Sequence, residues 1–427
     1  MCDTLIHLIV IMRIFHTADW HLGQTFHNYD RDYEHGCFLD WLLKQITSRK
    51  PELLLISGDV FDSVNPPATA HKMYFDFLGR TAEAHPGLQI VVTAGNHDAA
   101  ARLEAPARLL NRVNVYVCGT VETNAEGEID YTKFLVPIKD ASGNVGAVVL
   151  AVPFLRPSDV PQVRDTADSY TAGIAAFYKH LTELAVRRRD AEYPGAVLIG
   201  MGHCHLVNGA ESQDSERRLI VGGLEALSAA AFPRELCYVA LGHLHKPQVF
   251  EEGRVAYSGS AIPLSFTERE YRHRVWELEC GRAGLLERRS LEIPRAVPLL
   301  SVPEKDAVSM DELEALLKNA DHGSAQNLEQ YPFLEVRCLD DGPDPSRRHR
   351  IEEALATKRV RLASIKFETK VKTDLVSDSA APDGLGDLRT INPVEILRAA
   401  YREGYGQGEP DAAVLTAFHE IITEVSL

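Results

Sequence analysis

The chain has 427 residues, 45% of them hydrophobic and 25% charged, which allows at least one large core and two or three domains. Its formal net charge of -16 excludes a surface that attracts nucleic acid everywhere, so any such contact must be local, assisted by metal ions or by a partner. No stretch reaches the roughly 18 consecutive apolar residues of a membrane span, and seven scattered cysteines without a Cys-x-x-Cys pair argue against a disulfide framework or a structural zinc site.

A reduced, cytoplasmic chain is therefore expected. The apolar opening, Met1 to Ile11, lacks a basic n-region and a small-residue cleavage site, so it does not read as a secretory signal; Met12 is an alternative start. Arg13 to Thr17 reads as a first strand, ending in Ala18-Asp19-Trp20-His21-Leu22-Gly23. Tyr33 to Arg49 has helical spacing and stops at Pro51. Leu53-Leu54-Leu55-Ile56-Ser57 is a bounded apolar run, the pattern of a strand buried on both faces, and it delivers Gly58-Asp59 to the loop at its end. Pro66-Pro67 opens a second helix through about Ala84, and Leu88 to Thr93 is a strand leading to Gly95-Asn96-His97-Asp98.

Strand, helix, strand with a polar cluster after each strand is the βαβ pattern of a layered α/β domain. Further strands are expected at 134–138 and 146–153, with a helix near 171–188. Two more strands, 196–201 and 237–241, end in Gly202-His203-Cys204-His205 and Gly242-His243-Leu244-His245. Scattered prolines between Cys280 and Pro303 suggest a domain boundary. Beyond it a small α+β unit is expected: helix 310–318, strand 333–339, helix 347–357 and strand 361–371. Its second half is basic, with Arg347, Arg348, Arg350, Lys358, Arg359, Arg361, Lys366, Lys370 and Lys372; that is either a solvated face or a nucleic-acid contact. Residues 377–387 read as a flexible linker, and two short amphipathic helices follow, whose apolar faces dock on their own chain or on a partner.

Five strand ends thus carry Asp, His or Asn. Such a mixed oxygen and imidazole set suits manganese, iron or zinc better than calcium, and it holds enough donors for two ions. Asp59, which follows a central strand with no histidine beside it, is the candidate to lie between them. Two ions roughly 3.5–4 Å apart activate a water and stabilise charge in an in-line displacement at phosphorus, so phosphoester hydrolysis is the natural reaction class. Each motif alone has an ordinary explanation, because Asp-x-His can cap a helix and Gly-Asp is common in turns. The joint order carries the inference.

Asp19-x-His21, Gly58-Asp59, Gly95-Asn96-His97-Asp98, Gly202-His203 and Gly242-His243-x-His245 resemble the five signatures of the calcineurin-like metallophosphoesterases. Within that superfamily, the stretches His16 to Gln24, Gly58 to Asp62, Ala240 to His245 and Ser258 to Phe266 are similar to the SbcD-like nucleases. The resemblance implies a four-layer αββα sandwich at 12–280, a smaller α+β cap domain that places DNA at 295–375, a linker at 376–390 and a C-terminal helical tail at 391–427. It implies one ion on Asp19, His21, Asp59 and His245 and another on Asp59, Asn96, His203 and His243, with manganese as the family's metal. His97 would be the catalytic histidine, with Asp98 a candidate to orient its ring; His205 and Asp62 receive no role.

The implied activity is ATP-dependent exonuclease action on double-stranded ends and endonuclease cutting of single strands or hairpins, in DNA repair and recombination. The implied partners are DNA and an SbcC-like ABC-type coiled-coil ATPase, in a heterotetramer built on a homodimer of this chain, with no membrane. The chain carries no Gly-x-x-x-x-Gly-Lys-Ser/Thr loop, which agrees with ATP being handled by another polypeptide. Two alternatives remain: a phosphoesterase for a small molecule, which would need no basic cap, and a non-catalytic scaffold, which would need neither His97 nor a second metal.

Overall fold

The computed structural model describes residues 11–163, 166, 169–212, 226–319, 325–342 and 344–368. The elements, in chain order, begin with β1 (Met12–Thr17), a small hairpin of β2 (Thr25–Phe26) and β3 (Tyr29–Asp30), α1 (Asp32–Arg49), β4 (Leu53–Ser57), α2 (Ala68–Ala84) and β5 (Gln89–Thr93). Next come α3 (Ala100–Glu104), α4 (Ala107–Leu110), β6 (Val115–Cys118), β7 (Leu135–Lys139), β8 (Val145–Ala151), α5 (Ser169–Glu192), β9 (Val197–His203) and β10 (Leu236–Gly242). The chain continues through β11 (Gln248–Phe250), β12 (Val255–Tyr257), β13 (Arg274–Gly281), β14 (Gly284–Glu292) and β15 (Leu299–Val302). It goes on to α6 (Met310–Asn319), β16 (Phe333–Leu339), α7 (Arg347–Leu355) and β17 (Arg361–Glu368).

Two six-stranded sheets, ordered β14-β13-β1-β4-β5-β6 and β11-β12-β10-β9-β8-β7, face each other. The apolar run of β4 explains why. Leu53 and Leu55 point into the core between the sheets with Ile14, Val91, Ile199 and Tyr238. Leu54 and Ile56 point the other way, against Phe38, Leu42 and Phe77 of α1 and α2. Because successive side chains alternate, a strand covered on both sides must be apolar throughout, and every residue of β4 is buried. Helix α5 covers the second sheet through Phe177 and Leu181. The result is the expected αββα order of layers.

Strands β1, β4, β5 and β6 run parallel, as do β8, β9 and β10, so their C-terminal ends gather along one edge. Open α/β sheets place their chemistry at that edge. The first sheet extends past the expected limit at 280: β14 pairs with β13 along its length, so the body closes near Glu292. A third sheet, β15-β16-β17, forms a separate small layer with α6 and α7 and its own core of Leu313, Leu317, Val336 and Ile351. It joins the body through Phe26, Phe266, Val297, Leu299 and Phe333. The fully buried Arg31 spans that junction, with its guanidinium 4.9 Å from the Phe26 ring and 5.1 Å from Phe333, and with Glu34 holding its charge.

The basic patch of the cap differs from its appearance in sequence. Arg350 is held by Asp311 at 2.6 Å and Glu314 at 2.7 Å, Arg348 by Glu352 at 2.8 Å, Lys366 by Glu335 at 3.0 Å, and Arg347 by Asp340 and Asp341. Lys358 and Arg359 donate to backbone carbonyls, and Arg361 is buried with its guanidinium 3.6 Å over the Phe333 ring. Four of these cations, Arg347, Arg348, Arg350 and Lys366, thus face carboxylates within the cap, so the number of basic residues in the sequence overstates the positive potential. Lys370, Lys372, the linker and the two C-terminal helices lie outside the described residues. Every described cysteine is free, and no described helix is long and apolar enough to cross a membrane.

Candidate metal centre

Beyond the last residue of β1 the chain continues to pair with the segment after β4: the Asp19, His21 and Leu22 amides donate to the carbonyls of Gly58, Asp59 and Val60. Trp20 is driven into the core against Phe38 and Phe77, which turns Asp19 and His21 to the opposite side. This needs unusual backbone. Asp19, His21, Asp59 and His243 have φ of 51°, 47°, 48° and 107°, in the left-handed region, where a non-glycine residue costs about 1–3 kcal/mol. Strain of that kind persists only where surrounding bonds enforce it, and here it aims four of the seven expected ligands inward.

The glycines before Asn96 and His243 permit the close approach. A Cβ on Gly95 would lie 2.1 Å from Asp59 Oδ1, and one on Gly242 only 1.9 Å from the Ser57 carbonyl oxygen. Backbone blocks both positions, since the Asp59 nitrogen also lies 2.4 Å from the Gly95 Cβ position. Gly242→Ala is therefore expected to destabilise the fold by about 3 kcal/mol or more through forced backbone displacement, measured as a lowered midpoint in urea.

All seven expected ligands come together, and all except Asn96 are buried. Ligand atoms of Asp19, His21 and His245 lie within 4.8 Å of one another, as do those of His21, Asp59 and His97 and those of Asp19, Asp59 and His203. Asp19, His21 and Asp59 each belong to two of these groups. Asp59 Oδ2 lies 3.3 Å from His203 Nε2 and 3.7 Å from His21 Nε2. On the far side Asn96 Oδ1 meets His203 Nε2 at 2.9 Å and His243 Nδ1 at 3.2 Å.

The opposite ring nitrogens are held from behind. His203 Nδ1 donates to the Ser57 carbonyl at 3.0 Å, His21 Nδ1 faces Asp62 Oδ1 at 3.2 Å, and His245 Nδ1 faces Glu268 Oε1 at 2.9 Å. His97 Nδ1 donates to the Asp62 carbonyl at 2.7 Å, while its amide donates to Asp59 Oδ1 at 2.8 Å. Partners of this type fix the ring orientation and tautomer of metal-binding imidazoles. Asp98 does not orient His97. Its carboxylate accepts the amides of Val60, Phe61 and Gly95, pinning two loops together. His205 stands at the rim, 3.5 Å from Glu211 and outside the three groups.

The electrostatics are those of a site built for cations. Burial pushes the Asp19 carboxyl up to about 7, with His203 and His245 opposing it. Burial works against the Asp59 charge as well, but His203, His21 and His97 hold that carboxyl well below its ordinary value. Burial alone would depress His203; Asp59 beside it outweighs this and raises it to about 9. Burial, with His203 nearby, holds His243 far below the ordinary imidazole value. His21 is lowered by burial, and its Nε2 is buried without a hydrogen-bond partner. An orphaned ring nitrogen costs about 1–3 kcal/mol unless something accepts its lone pair. A divalent ion does so, and the mixed carboxylate, amide and imidazole set fits one.

Two residues here are not legible as functional in the sequence, Asp62 and Glu268. A charged side chain gives no sign in sequence that it turns inward behind a histidine.

The calcineurin-like phosphoesterase signature matches residues 12–247, which includes every expected ligand, and the type 5 capsule protein repressor C-terminal domain signature, SbcD_C, matches 295–405. The chain is 38% identical over 391 residues to the D subunit of the nuclease SbcCD from Rhodobacter capsulatus, covering 91% of this chain and 94% of that one. It is 35% identical over 265 residues to the corresponding SbcCD nuclease chain of Escherichia coli K12, covering 60% and 62%. The corresponding chain of Bacillus subtilis is 32% identical over 338 residues, covering 77% and 80%. With the layered fold, the five converging strand ends and these relatives together, the chain belongs to the calcineurin-like phosphoesterases and, among them, to the family of SbcCD nuclease D subunits.

Proposed function

We propose that this chain is the nuclease component of an SbcCD-type complex, a two-metal phosphodiesterase that cuts DNA. The observation that supports the reading is that Asp59 Oδ2 lies near both His203 and His21, at 3.3 Å and 3.7 Å; the reading divides the remaining donors into Asp19, His21 and His245 on one side and Asn96, His203 and His243 on the other. Each set plus Asp59 supplies four protein donors for one ion, and manganese is the proposed metal. When bound, the pair supplies Lewis-acid stabilisation of charge developing on the phosphoryl oxygens and an activated water.

The chain's own residues do the rest. His97, with Nδ1 committed to the Asp62 carbonyl, exchanges a proton only through Nε2. As the imidazolium, which carries a proton on both nitrogens, it donates from Nε2 to the phosphoryl or leaving oxygen of the substrate and is left as the neutral Nδ1–H ring. The left-handed backbone at Asp19, His21 and Asp59 holds the donors in place before substrate arrives.

The proposed activities are ATP-dependent exonuclease action on double-stranded ends and endonuclease action on single strands and hairpins, in repair and recombination. The partner is an SbcC-like coiled-coil ATPase, in a heterotetramer built on a homodimer of this chain. Support for DNA over a small phosphoester comes from the relatives named as SbcCD nuclease chains and not from the cap, where four of the cations are paired with carboxylates. The test is cleavage of blunt, hairpin and single-stranded DNA and of a small phosphodiester, with manganese against magnesium, alone and with the ATPase and ATP. Manganese-dependent DNA cutting, with ATP-dependent degradation of blunt ends, is expected. Activity confined to the small ester would overturn the reading.

A further inference from the structure

We infer that Glu268 is a positioning residue of this centre: it fixes His245 in the one tautomer able to bind an ion, an inference that rests on the metal reading above. Glu268 closes the turn Phe266–Glu268, away from any strand end, and is completely buried. Burying a carboxylate is expensive unless hydrogen bonds compensate it, and here both oxygens are engaged. Oε1 lies 2.9 Å from His245 Nδ1. Oε2 accepts the Leu264 amide at 2.9 Å and the Ser260 hydroxyl at 3.2 Å.

The donor inventory decides the tautomer. With Oε2 already accepting two hydrogen bonds, we take Glu268 as the ionised carboxylate; in that form it can only accept, so His245 Nδ1 carries the proton and Nε2 carries the lone pair. The ring stands 5.1 Å from that of His21, and a ring nitrogen of His245 is grouped with His21 and Asp19. His21 and His203 are held in a similar way, by the partly exposed Asp62 and by a backbone carbonyl. Only for His245 is the holding group a fully buried side-chain carboxylate, which substitution can remove cleanly.

Glu268→Gln keeps the volume and breaks the logic. If the amide oxygen faces His245, its NH2 meets the Leu264 N–H, donor against donor. If the NH2 faces His245, Nδ1 must become the acceptor and the proton moves to Nε2, the atom needed by the ion. Either arrangement penalises His245 as a ligand while leaving His203, His243 and Asn96 untouched.

The test is calorimetric titration of chelator-stripped protein with manganese. Wild type is expected to take two ions, and Glu268→Gln to bind one of them about 10–100-fold more weakly with the other unchanged. If wild type takes no ion, the metal reading itself fails. If wild type takes two and the variant binds both as tightly, or loses both together with its melting temperature, the inference about Glu268 alone fails. Should the variant not fold, nitrogen-15 spectra of histidine-labelled wild type decide, with His245 assigned through His245→Gln: a protonated Nδ1 is expected, and a protonated Nε2 would overturn it.

Discussion

His97→Ala is expected to lower manganese-dependent cleavage by about 10²–10⁴-fold, the usual contribution of a positioned proton donor, and to leave two ions bound. The ring is well placed for that division of labour. Its Nδ1 is committed to the Asp62 carbonyl, its amide anchors Asp59, and its plane stands against His21 at a centroid distance of 4.8 Å. Alanine keeps the amide bond to Asp59 and removes only the ring. A ligand atom of His97 also lies within 4.8 Å of those of His21 and Asp59, so the competing role has a clear signature. Loss of an ion in the calorimetric titration of His97→Ala would make His97 a ligand instead of the proton donor.

Asp59→Asn is expected to have the larger effect, abolishing cleavage and weakening both ions by more than about 10²-fold. Changes to groups that merely hold a ligand from behind already cost 10–100-fold in metal affinity, and Asp59 is proposed to touch both ions. The amide retains an oxygen for the His97 N–H but removes the negative charge that faces His203 and His21. Asp19→Asn is the comparison, because Asp19 is proposed on one side only: it should weaken one ion and spare the other. Titration of both variants, with cleavage measured in parallel, checks this. An Asp59→Asn chain that still binds one ion normally would show that the carboxylate is not shared.

The legible parts of the molecule were those where burial imposes a pattern. Strand β4 had to be apolar throughout because helices cover one face and the second sheet the other, so its run identified both the strand and the carboxylate after it. The same holds for β5, β9 and β10, and all seven expected ligands and His97 are found together. Strand β14 escaped notice because it is an edge strand with few buried positions; Arg288 lies over Trp276, and Arg289 pairs with Glu279, where apolar residues would have revealed it. The cap's charge misled for a related reason. Arg350 is neutralised by Asp311 and Glu314, more than thirty positions earlier in the chain, a pairing that only the fold creates. Glu268 and Asp62 likewise gain their meaning from the rings they hold, and Asp98 proved to be a clamp between loops.

The most direct measurement is anomalous diffraction at the manganese edge from crystals of the chain grown with that metal. Two peaks are expected, about 3.5–4 Å apart, with the Asp59 carboxylate between them, His21 and His245 beside one, and His203, His243 and Asn96 beside the other. A single peak, or two peaks of which only one lies against Asp59, would contradict the two-metal centre.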